Sequence, residues 1–148
     1  MRAVVQRVSR AEVSVGGRTV GKIGRGLVVL LGVAREDTER DAAFLADRVM
    51  GLRVFADPQG KMNLALGAVD GALLVISQFT LLADTESGRR PSFTSAAPPE
   101  QAKALYEHFL SLGRKAGVKV EQGEFGAMME LSLTNHGPVT IILDSRNR

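Results

Sequence analysis

Four consecutive residues, Ser77-Gln78-Phe79-Thr80, bring two hydroxyls, a carboxamide and an aromatic ring together directly after the apolar run Leu73-Leu74-Val75-Ile76. Hydroxyls and amides both donate and accept hydrogen bonds. At the end of a buried strand they would stand on a rigid support, which a reaction site requires. The same groups could equally satisfy backbone atoms where the strand stops. Little else in the chain offers stronger chemistry. There is no cysteine, which excludes thiolate nucleophiles, disulfides and Cys-ligated metals. The two histidines, His108 and His136, have no second histidine or carboxylate at a metal-binding spacing. His108 is expected to face solvent, opposite Leu105 and Phe109 on a helix. Glu36, Asp37, Glu39 and Asp41 suit the start of a helix better than a cation site. Neither a metal nor another cofactor is expected.

A second unusual group is Asn135-His136-Gly137-Pro138-Val139-Thr140, which lies between two runs that read as strands, Met129 to Leu133 and Val139 to Leu143. Proline has no backbone donor and a fixed φ, so the pair must mark a break, turn or bulge with exposed carbonyls. Taken alone, Gly137-Pro138 reads as a tight hairpin turn. The glycines at 21, 24 and 26 precede a strand rather than a helix, so they are no dinucleotide fingerprint. Gly60-Lys61-Met62 lacks the Ser or Thr of a P-loop.

The elements that would position these groups can be read from periodicity. Ala3 to Val8, Glu12 to Val15 and Arg18 to Ile23 read as strands, with Gly16-Gly17 as a hairpin signal. Leu27 to Val33 is continuously apolar and reads as a strand buried on both faces. Asp37 or Thr38 can cap a helix whose stripe is Ala42, Leu45, Ala46, Val49 and Met50. Phe55 to Asn63 carries turn chemistry, and Ala83 to Ala97 reads as a long polar loop. A second helix starts at Pro98-Pro99, buries Ala102, Leu105, Phe109, Leu112 and Ala116, and ends at Gly117. Strands at Val118 to Glu121, Met129 to Leu133 and Val139 to Leu143 complete an α+β fold with mainly antiparallel sheet.

The chain has 148 residues, enough for one domain spanning 1–148 with a real core. A net charge of +3 permits a polyanionic partner without demanding one. Basic residues gather at Arg89-Arg90, Arg114-Lys115, Arg146 and Arg148. Six Phe and one Tyr are too few for a broad base-stacking platform. No apolar run approaches the ~20 residues of a membrane span, and the N-terminus does not resemble a signal peptide. A cytoplasmic protein without membrane contact is expected.

Five motifs in order resemble the D-aminoacyl-tRNA deacylases over almost the whole chain: Gln6-Arg7-Val8, Gly60-Lys61-Met62-Asn63, Ser77-Gln78-Phe79-Thr80-Leu81, Arg90-Pro91-Ser92-Phe93 and Asn135-x-Gly137-Pro138-Val139-Thr140. The resemblance implies barrel-like sheets with two main helices. It implies hydrolysis of the ester joining a D-amino acid, or glycine, to the 3′-terminal adenosine of tRNA. It implies a homodimer in which a cis Gly-Pro pair from one subunit enters the active site of the other. Carried over, the Gly137 and Pro138 carbonyls would hold the substrate ammonium and Arg7 would support them. Ser77, Gln78, Phe79 and Thr80 would line the reacting centre, and Phe125 and Met129 the adenosine. His136 receives no catalytic role.

Two co-directed carbonyls suit an ammonium, which has three donors and no acceptor. A backbone wall on one side of the α-carbon would clash with an L side chain and spare a D side chain or glycine. Lacking a strong general base, the site is expected to use the ribose 2′-hydroxyl to help activate water, with oxyanion donors among the N–H groups around Gln78 and Phe79. Thr80 as nucleophile is the competing mechanism. A non-catalytic tRNA-binding module of the same fold, and a general esterase, are the competing functions.

Overall fold

A computed structural model describes residues 1–147; Arg148, the last of the basic tail, lies outside them. Strand β1 (Arg2–Val15) is the spine of the fold. Gly16 and Gly17, both at positive φ, turn the chain into β2 (Arg18–Ile23), the hairpin expected from sequence. β3 (Gly26–Gly32) returns antiparallel along the first half of β1. After helix α1 (Glu39–Gly51) a small hairpin forms from β4 (Phe55–Ala56) and β5 (Met62–Leu64). β6 (Ala72–Ser77) then lies parallel to β3. Helix α2 (Pro99–Lys115) leads to β7 (Lys119–Gln122), parallel to β6. β8 (Glu130–Asp144) runs antiparallel along the whole of β1. The main sheet therefore mixes antiparallel pairings of β1 with β2, β3 and β8 and two parallel helical crossovers.

Side-chain alternation divides the interior in two. Leu27, Val29 and Leu31 of β3, with Leu73 and Val75 of β6, face the helices and pack with Leu45, Val49, Leu105 and Phe109. Their neighbours Val28, Leu74 and Ile76 face the other way and pack with Val8, Ala11, Val13 and Ile23. The continuous apolar runs are thus buried on both faces, because each successive side chain enters a different core. β2 curls toward β7 and nearly closes a barrel around the second cluster; the Lys22 N–H meets Glu121 Oε1 at 3.4 Å. Gly21 permits this approach, since a Cβ there would lie 2.6 Å from the Gln122 carbonyl oxygen.

The helix boundaries follow their capping chemistry. Thr38 caps α1, and the Asp41 side chain returns the bond in a capping box. α2 starts with proline and ends before Gly117, at positive φ. Its buried face differs from the expected stripe. Tyr106, Leu110 and Gly113 are buried, whereas Ala116 is exposed and Leu112 only half-buried. The helix touches both α1 and the sheet, so its apolar face is wider than one row. His108 is half-buried rather than solvent-facing.

The main correction concerns Gly137-Pro138. The two runs flanking it are one strand, not a hairpin, and both pair with β1 in the same direction. Gln6 pairs with Thr140 and Val8 with Asn135, so four residues, 136–139, oppose Arg7 alone. The pair sits in a large bulge, which lets proline occur within a long strand. The Gly137–Pro138 peptide is cis.

Candidate active site

The bulge is fastened from both sides. Asn135 spans its base: its side-chain oxygen accepts the Val139 N–H at 2.7 Å, and its Nδ2 donates to the Val139 carbonyl at 3.1 Å. From β1, Arg7 Nε donates to the His136 carbonyl at 2.7 Å and Nη1 donates to the Val54 carbonyl at 2.5 Å. One planar guanidinium thus ties the bulge to the segment after α1, a use of arginine that a single ammonium cannot copy. Residues 136–138 are exposed, with their backbone held by neighbours rather than buried. Arg7 is thus bonded to the bulge backbone at His136. Asn135 lay in the motif without an assigned role, and its signal was its position just before Gly-Pro, where a side-chain amide can clasp local backbone.

Ser77 ends β6, and the chain turns at once into a 3₁₀ turn, Phe79–Leu82. Phe79 and Thr80 therefore project from a turn rather than from the strand. The Gln78 N–H donates to the Leu31 carbonyl at 2.8 Å, which closes β6 against β3. That corrects one expectation: the Gln78 N–H is engaged within the fold and is not available as an oxyanion donor. The Phe79 and Thr80 N–H groups open the 3₁₀ turn and have no hydrogen-bond partner among the described residues. The Gln78 side-chain amide donates to Thr80 Oγ1. Phe79 is 57% exposed and meets Phe93 edge-on, with centroids 5.1 Å apart. Phe93 belongs to the expected long loop, which is pinned by paired Asp84 and Ser92 backbone bonds of 2.8 Å and by Arg35 Nε on the Thr94 carbonyl.

Phe125 and Met129 lie in the connection from β7 to β8, on the same side of the sheet end as Ser77. Phe125 packs against Tyr106 with centroids 5.8 Å apart, and Met129 packs against the barrel cluster that contains Ile76. The Tyr106 hydroxyl donates to the Val75 carbonyl at 2.9 Å, and burial pushes its pKa up to about 12. Beside these residues a cavity of about 610 Å³ opens between α2 and the 123–125 segment.

The chain therefore gathers Ser77, Gln78, Phe79, Thr80, Phe125 and Met129 in one region and Arg7, Gly137 and Pro138 in another. Ser77 is in register with Leu31, whereas Arg7, opposite the bulge, is in register with Leu27. Four strand residues separate the two registers, ~13 Å along β3. Within one chain the two halves do not meet. No cluster of three or more His, Asp or Glu suited to a metal ion occurs among the described residues. No helix among them is long and apolar enough to cross a membrane.

The sequence profile of D-Tyr-tRNA(Tyr) deacylases matches residues 4–144. A D-aminoacyl-tRNA deacylase of Dehalococcoides mccartyi is 60% identical, covering 100% of this chain and 97% of that protein. One from Thermotoga petrophila is 59% identical, covering 98% and 97%. Among solved structures, a c-Myc DNA unwinding element binding protein superposes with a TM-score of 0.91 at 42% identity, covering 97% of this chain and 98% of that one.

Proposed function

The chain belongs to the D-Tyr-tRNA(Tyr) deacylase family, and from that premise we propose that it hydrolyses the ester between a D-amino acid, or glycine, and the 3′-terminal adenosine of tRNA. The observation that carries this reading is the Asn135–Val139 bulge, exposed at its tip and clasped by Asn135 and Arg7. A fixed pair of backbone carbonyls, from Gly137 and Pro138, can accept from the substrate ammonium. The surrounding backbone then stands where an L side chain would project, so chirality is selected by exclusion.

The working site forms between two copies of the chain. The bulge of one protomer meets Ser77, Gln78, Phe79 and Thr80 of its partner, with Phe125 and Met129 beside the terminal adenosine. The offset of ~13 Å along β3 between the two halves within a protomer supports this arrangement, and so does the outer edge of β8, which among the described residues pairs with β1 alone.

Chemistry falls to positioning and to the substrate's own 2′-hydroxyl. Thr80 Oγ1 accepts from an amide, which cannot take its proton, so Thr80 lacks the base that would make it a nucleophile. The ribose 2′-hydroxyl beside the scissile ester orients and activates water. The Phe79 N–H, at the opening of the 3₁₀ turn, stabilises the developing oxyanion. The test compares D-Tyr-tRNA, L-Tyr-tRNA and a simple ester. Cleavage of the D-form alone is expected. Cleavage of the simple ester alone would establish a general esterase, and tRNA binding without any cleavage would establish a binding module.

A further inference from the structure

The cavity between α2 and the 123–125 segment has no part in the chemistry above, yet its floor lies close to it. Tyr106 and the Gly123 N–H both bond to the Val75 carbonyl, at 2.9 and 3.2 Å. That anchor is two residues before Ser77 on β6, ~7 Å along the strand. Phe125, which forms one wall, is also a residue proposed to stand beside the terminal adenosine. From there the cavity follows one stripe of α2, in which Lys103, Glu107, Leu110 and Arg114 recur at helical spacing. Lys103 and Arg114 stand ~16 Å apart along the helix. Between them are two carboxylates, Glu107 and Glu124, and the Gln122 amide, which accepts from Arg114 Nη2 at 3.5 Å.

This pattern suits one chemical class. Side chains set that far apart along the helix cannot share one phosphate, but they can meet separate, non-adjacent phosphates of an extended strand. Carboxylates between them repel phosphate, yet they accept well from an exocyclic amine, the contact that distinguishes cytosine. Unpaired RNA bases are commonly read in this way, beside an aromatic wall and through their hydrogen-bonding edges. We propose that this cavity holds the cytidine nucleotides preceding the terminal adenosine, with Lys103 and Arg114 on phosphates and Glu107 or Glu124 on a cytosine amine. The proposal rests on the deacylase reading and adds to it a second subsite outside the reacting centre.

Two substrates separate the subsite from the chemistry: D-tyrosyl-adenosine, which ends at the reacting nucleotide, and a D-tyrosylated CCA trinucleotide. Arg114→Ala and Lys103→Ala should each lower kcat/KM on the trinucleotide about tenfold, through KM, and leave D-tyrosyl-adenosine unaffected. The native protein should prefer CCA over CUA about fivefold, and Glu107→Gln combined with Glu124→Gln should erase that preference. Both cationic variants are on the exposed side of α2, and far-UV circular dichroism verifies the fold. Equal losses on both substrates, no loss on the trinucleotide, or no preference for CCA would each overturn the subsite while leaving the deacylase reading intact. Failure of the native protein to cleave either substrate would overturn both.

Discussion

Replacing Gly137 with alanine puts the bulge under direct test. A Cβ at this position would lie 2.8 Å from Val139 Cγ2, 2.9 Å from Val139 N and 3.1 Å from Arg7 Nη2. None of these neighbours is free to retreat. The Val139 N–H is held by Asn135, and the Arg7 guanidinium is held by the His136 and Val54 carbonyls. Gly137 also has φ of +151°, where an L side chain is strained. Backbone strain alone costs ~1–3 kcal/mol, and overpacking adds ~1–3 kcal/mol. The chain would relieve this by moving the bulge, whose tip at 136–138 is exposed. A shift of ~1 Å at the carbonyls proposed to hold the ammonium would cost about 10²-fold in rate, or ~2.7 kcal/mol of transition-state stabilisation. The assay is kcat/KM on D-Tyr-tRNA, with L-Tyr-tRNA alongside, and a thermal melt showing that the protein remains folded. Loss of D activity together with a smaller D-to-L ratio is expected. A folded Gly137→Ala protein with native kcat/KM and native chirality would refute the assignment of selection to this backbone.

Arg7→Lys should lower kcat/KM on D-Tyr-tRNA at least tenfold, because one ammonium cannot bond both the His136 and Val54 carbonyls; native activity would show that the clasp is dispensable. Thr80→Ala should retain most activity, whereas a substrate ending in 2′-deoxyadenosine should be cleaved about 10²-fold more slowly; the reverse pattern would make Thr80 the nucleophile. Tyr106 is the only tyrosine, and there is no tryptophan, so ultraviolet absorbance reports its ionisation alone. Its folded pKa is raised by burial from 10.0 to about 12. Its stabilising contribution is therefore complete below pH 10 and lost as pH rises toward 12. Phenolate absorbance near pH 10 in the folded protein would contradict that environment.

Much of this fold could be read along the chain because its signals are local. Thr38 with Asp41, Pro98-Pro99 with Gly117, and Gly16-Gly17 each act within a few residues, and each marks the boundary it was expected to mark. The apolar runs of β3 and β6 were legible for the same reason. Long-range facts were not. That the two runs on either side of Gly137-Pro138 form one strand depends on β1, more than a hundred residues earlier, continuing past the bulge. The role of the Gln78 N–H depends on Leu31, and the wide face of α2 on its contacts with both α1 and the sheet. For the candidate site, residue types and motif order nominated residues. They could not reveal that Arg7 reaches Val54, or that the bulge and the Ser77–Thr80 turn stand at different levels of the same sheet.

That separation bears on the central claim, that the bulge of one protomer completes the site of another. Two inactive variants make the most direct test. Gly137→Ala spoils the bulge and leaves the 3₁₀ turn intact. Phe79→Glu places a charge against the RNA at a ring that is 57% exposed, and leaves the bulge intact. In a mixed dimer, one site carries both lesions and the other carries none. Equal co-expression should therefore restore about a quarter of native activity, since half of the dimers are mixed and each holds one intact site of two. Activity no greater than the sum of the two variants alone, with mixed dimers verified by differential tags, would contradict a site shared between protomers.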